Sequence, residues 1–86
     1  MASYAITWRK STKKDLRKIR PDEIPGIIEA VEALAENPLP DGCTKLAGSQ
    51  HIYRIRVGDY RVIYEVIGRV LIIEVIRVAH RKEVYR

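Results

Sequence analysis

Three arginines stand close together in HIYRIRVGDYRVIY, residues 51–64. Apolar and polar residues alternate on both sides of Gly58-Asp59, the pattern of a hairpin with a two-residue loop. That register sets Val57 against Tyr60 and Arg56 against Arg61, with Arg54 one pleat further along the same face. Like charges directly opposite one another destabilise a sheet, by tenths to about 1 kcal/mol. The cost becomes attraction when a polyanion lies across the pair, because guanidinium groups hold phosphate oxygens in bidentate fashion. Downstream, VAHRKEVYR supplies His80, Arg81, Lys82 and Tyr85. Together these residues could bind phosphate and stabilise charge developing on it. They could also move a proton through an imidazole or a phenol.

The elements that must position them are legible from periodicity. YAITW, residues 4–8, alternates Tyr4, Ile6 and Trp8 on one side and predicts a strand. Ser11 or Thr12 can cap a short basic helix over about 12–19, with Asp15 suited to the dipole of its first turn. Leu16 and Ile19 give that helix a narrow apolar seam, so Lys13, Lys14, Arg17 and Lys18 point outward. Pro21 ends it. A second helix is expected from near Asp22, with Ile24, Ile27, Ile28, Val31 and Leu34 on a buried face. Pro25 is tolerable in its first turn, and Asn37-Pro38 stops it. Three strands come next, at about 51–57, 60–67 and 70–78, the last two joined by a Gly68-Arg69 turn. The fold class is α+β, in the order β-α-α-β-β-β. One domain over residues 1–86 has an antiparallel sheet, two helices on one face and a short C-terminal tail.

Strand alternation sorts the faces. Tyr53, Ile55, Val57, Tyr60, Val62, Tyr64 and Val66 share one face, with Val66 expected opposite Leu71, Tyr64 opposite Ile73 and Val62 opposite Val75. That face belongs beneath the helices. The other carries arginine towards Gly58-Asp59 and isoleucine or valine towards Gly68-Arg69. An open face with Ile63, Ile72 and Ile76 calls for a cover, and too few residues come after Val78 to build a further helix over it. The last strand runs back towards the Gly58-Asp59 turn. It is therefore expected to deliver His80, Arg81, Lys82 and Tyr85 to the corner where Arg56 and Arg61 sit.

Composition narrows the function classes. The net charge is +5, and it is unevenly distributed. Residues 1–20 carry seven bases against one acid, residues 21–44 six acids and no base, and residues 45–86 nine bases against four acids. A basic surface with an acidic back suits nucleic acid or an anionic membrane surface. No apolar run reaches transmembrane length, since VLIIEVI is short and interrupted by Glu74. MASYAITWRK does not read as a secretory signal. Cys43 is the single cysteine, with no His or Cys at ligand spacing, so neither a disulfide nor a zinc site is expected. The expected location is the cytoplasm, with no membrane contact.

KLAG, YRIRVGDYRVIYEV and VAHRKEVY resemble the RelE branch of the RelE/ParE toxins of type II toxin–antitoxin modules. The order of elements fits that family over essentially the whole chain. The resemblance implies an endoribonuclease that enters the ribosome and cuts the message in the A site, without cofactor or metal. The 2′-hydroxyl attacks the adjacent phosphate, leaving a 2′,3′-cyclic or 3′-phosphate and a 5′-hydroxyl. By position, Arg54 and Arg56 match the family's basic pair and Arg61 the arginine of its YR motif. Arg81 matches the basic residue after the last strand, and Tyr85 the C-terminal tyrosine. Lys45 of KLAG and Lys82 join the expected phosphate contacts.

One departure bears on the chemistry. The best-known members have lysines in the basic pair, one of them a candidate general base. Arginine, with a pKa above about 12, is unsuited to that work. The proton acceptor must then be His80, whose type titrates near 6.5, or Tyr85, which starts near 10 and could instead stack on a base. His51 is expected to be structural. The resemblance also names the partners: a cognate antitoxin over Ile63, Ile72 or Ile76 or displacing the Tyr85 tail, and the ribosome with its mRNA. Ribosomal RNA would be met by the basic first helix. Two alternatives stay open, a ParE-like inhibitor of DNA gyrase and a catalytically degenerate binder of RNA or antitoxin.

Overall fold

Residues 3–84 are described in the computed structural model of the chain. In chain order the elements are β1 (Ala5–Trp8), α1 (Thr12–Arg17), a 3-10 turn (Pro21–Glu23) and α2 (Ile24–Ala33). They continue with β2 (Thr44–Lys45), β3 (Ile52–Val57), β4 (Tyr60–Ile67), β5 (Ile72–His80) and α3 (Arg81–Val84). One five-stranded sheet has the order β1-β5-β4-β3-β2. The α+β class, the consecutive hairpins and the placement of both N-terminal helices on one face are as the sequence predicts. The sheet is mixed rather than wholly antiparallel, because β1 lies parallel to β5, Ala5 beside Ile72 and Trp8 beside Val75. The chain leaves β1 through both helices, enters the sheet at the opposite edge and returns through the hairpins to β5, and such a crossover permits parallel pairing.

The helices form where local signals allow and stop where they fail. The α1 N-cap, Ser11, makes no side-chain capping bond. Thr12 instead turns inward, is buried, and donates its hydroxyl to the Arg9 carbonyl. Pro21 opens the 3-10 turn and Pro25 lies in the first turn of α2, positions that need no backbone donor. Ile27 and Val31 of α2 are buried, as is Leu34 just beyond it, whereas Ile28 is 36% exposed. Those three are spaced i, i+4, i+7, a stripe narrower than the five-residue face expected. Ile28 lies about 100° round the helix from Ile27, on the solvent side.

The core lies between the helices and the predicted inner face of the sheet, with Ile19, Ile27, Val31 and Leu34 against Ile55, Val62, Tyr64, Ile73, Val75 and Val78. Burying each such aliphatic side chain stabilises the fold by about 1.5–3 kcal/mol. Tyr64 sits at the centre with no solvent exposure. Its ring stacks on Tyr53 at 6.1 Å, and its hydroxyl donates to the Pro38 carbonyl at 2.6 Å. The loop after α2 is thereby tied to the middle of the sheet.

The β3–β4 register is the one predicted, with Arg56 opposite Arg61 and Val57 opposite Tyr60 across a loop in which Gly58 takes φ +60°. The β4–β5 register differs. Val66 faces Ile73 rather than Leu71, and Tyr64 faces Val75 rather than Ile73. The connection is longer than Gly68-Arg69: β5 starts at Ile72, and Leu71 adopts φ +55° at the end of the turn. A shift of two residues keeps each side chain on its predicted face, but leaves Val70 54% and Leu71 39% exposed at the tip. Further along, Ile63 faces Arg77 and Val62 faces Val78, so β5 carries one extra residue, Ile76. Val75 and Val78 therefore both point into the core, and Arg77 turns to the open face.

Burial pushes the Tyr64 phenol well above its ordinary value, with the neighbouring Cys43 thiol adding to the effect. A phenol raised in the folded state contributes stability that is complete below about pH 10 and lost as pH rises towards the folded value. Tyr64→Phe should be less stable at neutral pH by about 1 kcal/mol, the net worth of the bond to Pro38. It should also lose less stability than the parent between about pH 9.5 and 12, so that the two curves converge. Urea unfolding across that range measures both effects.

Candidate functional site

On the face away from the helices, strand pairing lays out side chains in rows. Arg56, Arg61 and Ala79 form the row nearest the β3–β4 turn, and Arg54, Ile63 and Arg77 the next. Beyond them lie Ile52, Glu65 and Glu74, then Ile67 and Ile72. Directly opposed residues of antiparallel strands share a face, so these rows are a consequence of register alone. Arg61 is only 9% exposed, and one of its terminal guanidinium nitrogens donates to the Tyr60 carbonyl at 3.4 Å. Arg56 is exposed and its Nε donates to the Gly58 carbonyl at 3.3 Å. Arg54 is half-buried.

Helix α3 begins where β5 ends and docks on the same turn. The backbone N–H of Arg81 donates to the Asp59 carbonyl at 2.8 Å, and its Nε lies 3.6 Å from the Asp59 carboxylate. Arg61 faces Ala79, two residues before Arg81. Arg56, Arg61 and Arg81 are thus brought to one corner, as the direction of the last strand predicts. Asp59 is the acid that holds Arg81 there. Tyr85 lies outside the described residues.

His80 departs from the expected placement. It pairs with Tyr60, so its ring lies on the helix side of the sheet while Arg61 lies on the other. The imidazole meets the Tyr60 ring edge-on at 5.5 Å, and its Nδ1 accepts the backbone N–H of Lys82 at 3.2 Å. That acceptor role leaves the ring proton of the neutral imidazole on Nε2. Sequence periodicity ends the strand at Val78 and leaves residues 79–86 as a tail free to enter the cleft. The strand in fact continues to His80, and alternation then sends the imidazole to the opposite face. His80 borders a notch of about 250 Å³ with Asp15, Lys18, Tyr60 and Glu83.

The neighbouring Tyr60 phenol is also raised, first by burial and then by the nearby Glu23 carboxylate, while Arg20 opposes the change. Tyr60 is a poor proton acceptor there. Asp15 has a structural duty. Among the described residues no strand pairs with this edge of β5 beyond Val75, and the Asp15 carboxylate accepts the Val78 N–H at 3.1 Å.

The remaining candidates fall elsewhere. Lys45 pairs with Tyr53, which puts it at the far edge of the sheet on the helix side, away from Arg54 and Arg56. Lys82 is exposed on α3, and Lys13, Lys14, Arg17 and Lys18 are exposed on and just after α1. Ile63 and Ile72 are half-buried on the open face, and Ile76 is the half-buried extra residue of β5. Arg77 is a basic residue of this face that periodicity alone misses. The doubled apolar pairs in VIRVA, with Arg77 between them, are the signal for it. Among the described residues no three His, Cys, Asp or Glu side chains gather as metal ligands would. Nor is any helix there long and apolar enough to cross a membrane.

Comparison with known proteins assigns the family. Residues 6–85 match the family model described as the ParE toxin of the type II toxin–antitoxin system parDE. The toxin RelE3 of Methanocaldococcus jannaschii is 36% identical over 85 residues, covering 93% of each chain. The chain belongs to the RelE/ParE superfamily of type II toxins. Solved relatives of this RelE-like toxin agree in fold. RelE in the archaeal RelE–RelB complex of Pyrococcus horikoshii superposes with a TM-score of 0.81 at 28% identity, over 94% of this chain and 98% of that one. The isolated RelE toxin of Escherichia coli gives 0.77 at 28% identity, over 96% and 92%. The match to the family model spans both arginine rows, Arg81 and Tyr85.

Asp15→Ala should remove a charge-assisted bond and open the β5 edge, lowering stability by about 1.5 kcal/mol. Asp15→Asn, which keeps an acceptor, should lose less. Denaturant midpoints at constant m-value read the difference, and equal stability of all three proteins would contradict the edge-capping role.

Proposed function

We propose that this RelE-like toxin is a ribosome-dependent endoribonuclease that cuts mRNA in the A site. The observation that carries the reading is the opposition of Arg56 and Arg61 beside Arg81. Three guanidinium-bearing residues at one corner suit an oligoanion, and a phosphodiester undergoing in-line attack builds up negative charge. Arg56 and Arg61 bind the scissile phosphate. Arg81, held by Asp59, meets the developing charge or assists the departing 5′-oxygen. Such prearranged donors are worth several kcal/mol in an excluded site. The 2′-hydroxyl oxygen forms the new bond to phosphorus as the bond to the 5′-oxygen breaks. The attacking hydroxyl gives up its proton and the 5′-oxygen acquires one, leaving a 2′,3′-cyclic phosphate and a 5′-hydroxyl.

Arginine does not serve as the base, and His80 faces away from Arg61. The proton acceptor assigned by this reading is Tyr85, which matches the family's C-terminal tyrosine by position and lies outside the described residues. His80 then positions α3 by accepting the Lys82 N–H. A cognate antitoxin with an acidic, amphipathic segment covers Ile63 and Ile72 on the open face, as suits a member of a family whose solved relatives include a RelE–RelB complex. Arg54 and Lys82 extend the phosphate contacts, and Lys13, Lys14, Arg17 and Lys18 meet ribosomal RNA.

Mapping mRNA 5′ ends after a brief pulse of expression tests the activity. The expected outcome is new ends inside translated codons, reduced at least about 100-fold by a folded Arg61→Ala variant. Full cleavage by that variant would refute the role of Arg61. Gyrase-dependent DNA breaks without mRNA ends would assign the ParE-type activity, and neither signal would mark a binder. Ribosome association should weaken steeply with salt, and replacing the four basic residues of α1 and its C-cap by Gln should flatten the dependence. Affinity that barely changes over a several-fold rise in salt would exclude the electrostatic role of this helix.

A further inference from the structure

We propose that Arg77 is a second backbone clamp of the same site, holding the RNA phosphate next to the one gripped by Arg56 and Arg61. The assignment rests on the RNA-cleaving reading of that site. It starts from the extra residue in β5. Regular alternation from Val75 would turn Arg77 into the core; because Ile76 is left unpaired, Arg77 faces Ile63 on the open side. Ile63 then has Arg54 across one strand boundary and Arg77 across the other. Arg61 faces Ala79, so Arg77 is its diagonal neighbour on β5, about 7–8 Å away between backbones. Long side chains span that separation, which is comparable to the spacing of successive phosphates along an extended strand.

The surrounding charges leave Arg77 available and give the track a direction. Arg77 is exposed and has no ion-pair partner among the described residues. It also borders the notch that holds Asp15 and Glu83. Asp15 is occupied by the Val78 N–H. On the face itself the next row is acidic, and its Glu74 is engaged by Arg9 at 3.1 Å. Glu65 and Glu74 together repel an RNA backbone running lengthwise along the strands. The favourable path crosses the sheet from β3 to β5, over two rows that contain arginine and no acid. Ile63, framed by Arg54, Arg61 and Arg77, offers an apolar surface between the phosphates.

The test uses the full chain with two uncleavable 2′-O-methyl probes, a dinucleotide with one phosphate and a tetranucleotide with three. Arg77→Ala should leave dinucleotide affinity and thermal stability unchanged. It should weaken tetranucleotide binding about tenfold, the worth of one charge-assisted contact. The slope of log affinity against log salt should fall by about 0.7, and Arg77→Lys should restore most of it. Arg61→Ala should weaken both probes. If Arg77→Ala left tetranucleotide binding intact while Arg61→Ala weakened it, the clamp would be overturned and the nuclease reading would stand. Equal weakening of both probes by Arg77→Ala would also overturn it, because a general field would then explain the effect. A parent protein that bound neither probe would remove the RNA reading and the clamp together.

Discussion

Strand alternation, interrupted once at Ile76, decides which side of the sheet each charged group occupies. A one-residue offset in a strand exchanges its two faces, so the interruption has large consequences for a short stretch of chain. Val75 and Val78 both reach the core, Arg77 joins the open face, and His80 is turned from Arg61 towards Tyr60. The arginine-bearing corner and the imidazole-bearing notch therefore lie mainly on opposite faces at one end of the molecule and meet along β5, where Arg77 borders the notch. The first suits an anionic ligand; the second organises α1, β5 and α3 around Asp15 and His80.

A small core leaves much of the organisation to polar ties. The Tyr64 hydroxyl fixes the loop after α2, and the Asp15 carboxylate fixes α1 to the open edge of β5. Asp59 and His80 each take a backbone N–H from α3. Each tie satisfies a group that would otherwise stand exposed or unpaired, and together they link the helices and loops to the sheet. Arg61 is held separately, by its own burial and by the Tyr60 carbonyl. Its near-complete burial fixes the guanidinium in place before any ligand arrives, which lowers the ordering cost of binding.

Much of this is legible in the sequence because it depends on local rules. Alternation about Gly58-Asp59 fixes the Arg56–Arg61 opposition, prolines bound the helices, and the direction of the last strand brings Arg81 to the same turn. The differences involve information that local rules do not carry. Val70 and Leu71 read as strand because both are apolar, although Leu71 adopts a left-handed conformation more usual for glycine or asparagine. Ile28 reads as core because helical spacing shows which residues are neighbours without showing how wide the contact is. The side of the sheet that His80 takes depends on where β5 ends and on an extra residue upstream. The doubled apolar pairs about Arg77 record that residue, but a continuous apolar run reads equally well as a fully buried strand.

The parallel pairing of β1 with β5 divides the molecule by the span of chain that each contact must close. Arg54, Arg56, Arg61 and Arg77 lie on three strands joined by short connections, so their arrangement needs only neighbouring hairpins. The Ala5–Ile72 contact instead closes most of the chain, and loop-closure entropy rises with the span closed. The arginine rows thus belong to the part of the polypeptide with the least topological cost, and completion of the sheet to the part with the most. Changes in the N-terminal strand would act chiefly through the thermodynamics of the whole domain, leaving the pattern of cations inscribed in the hairpins.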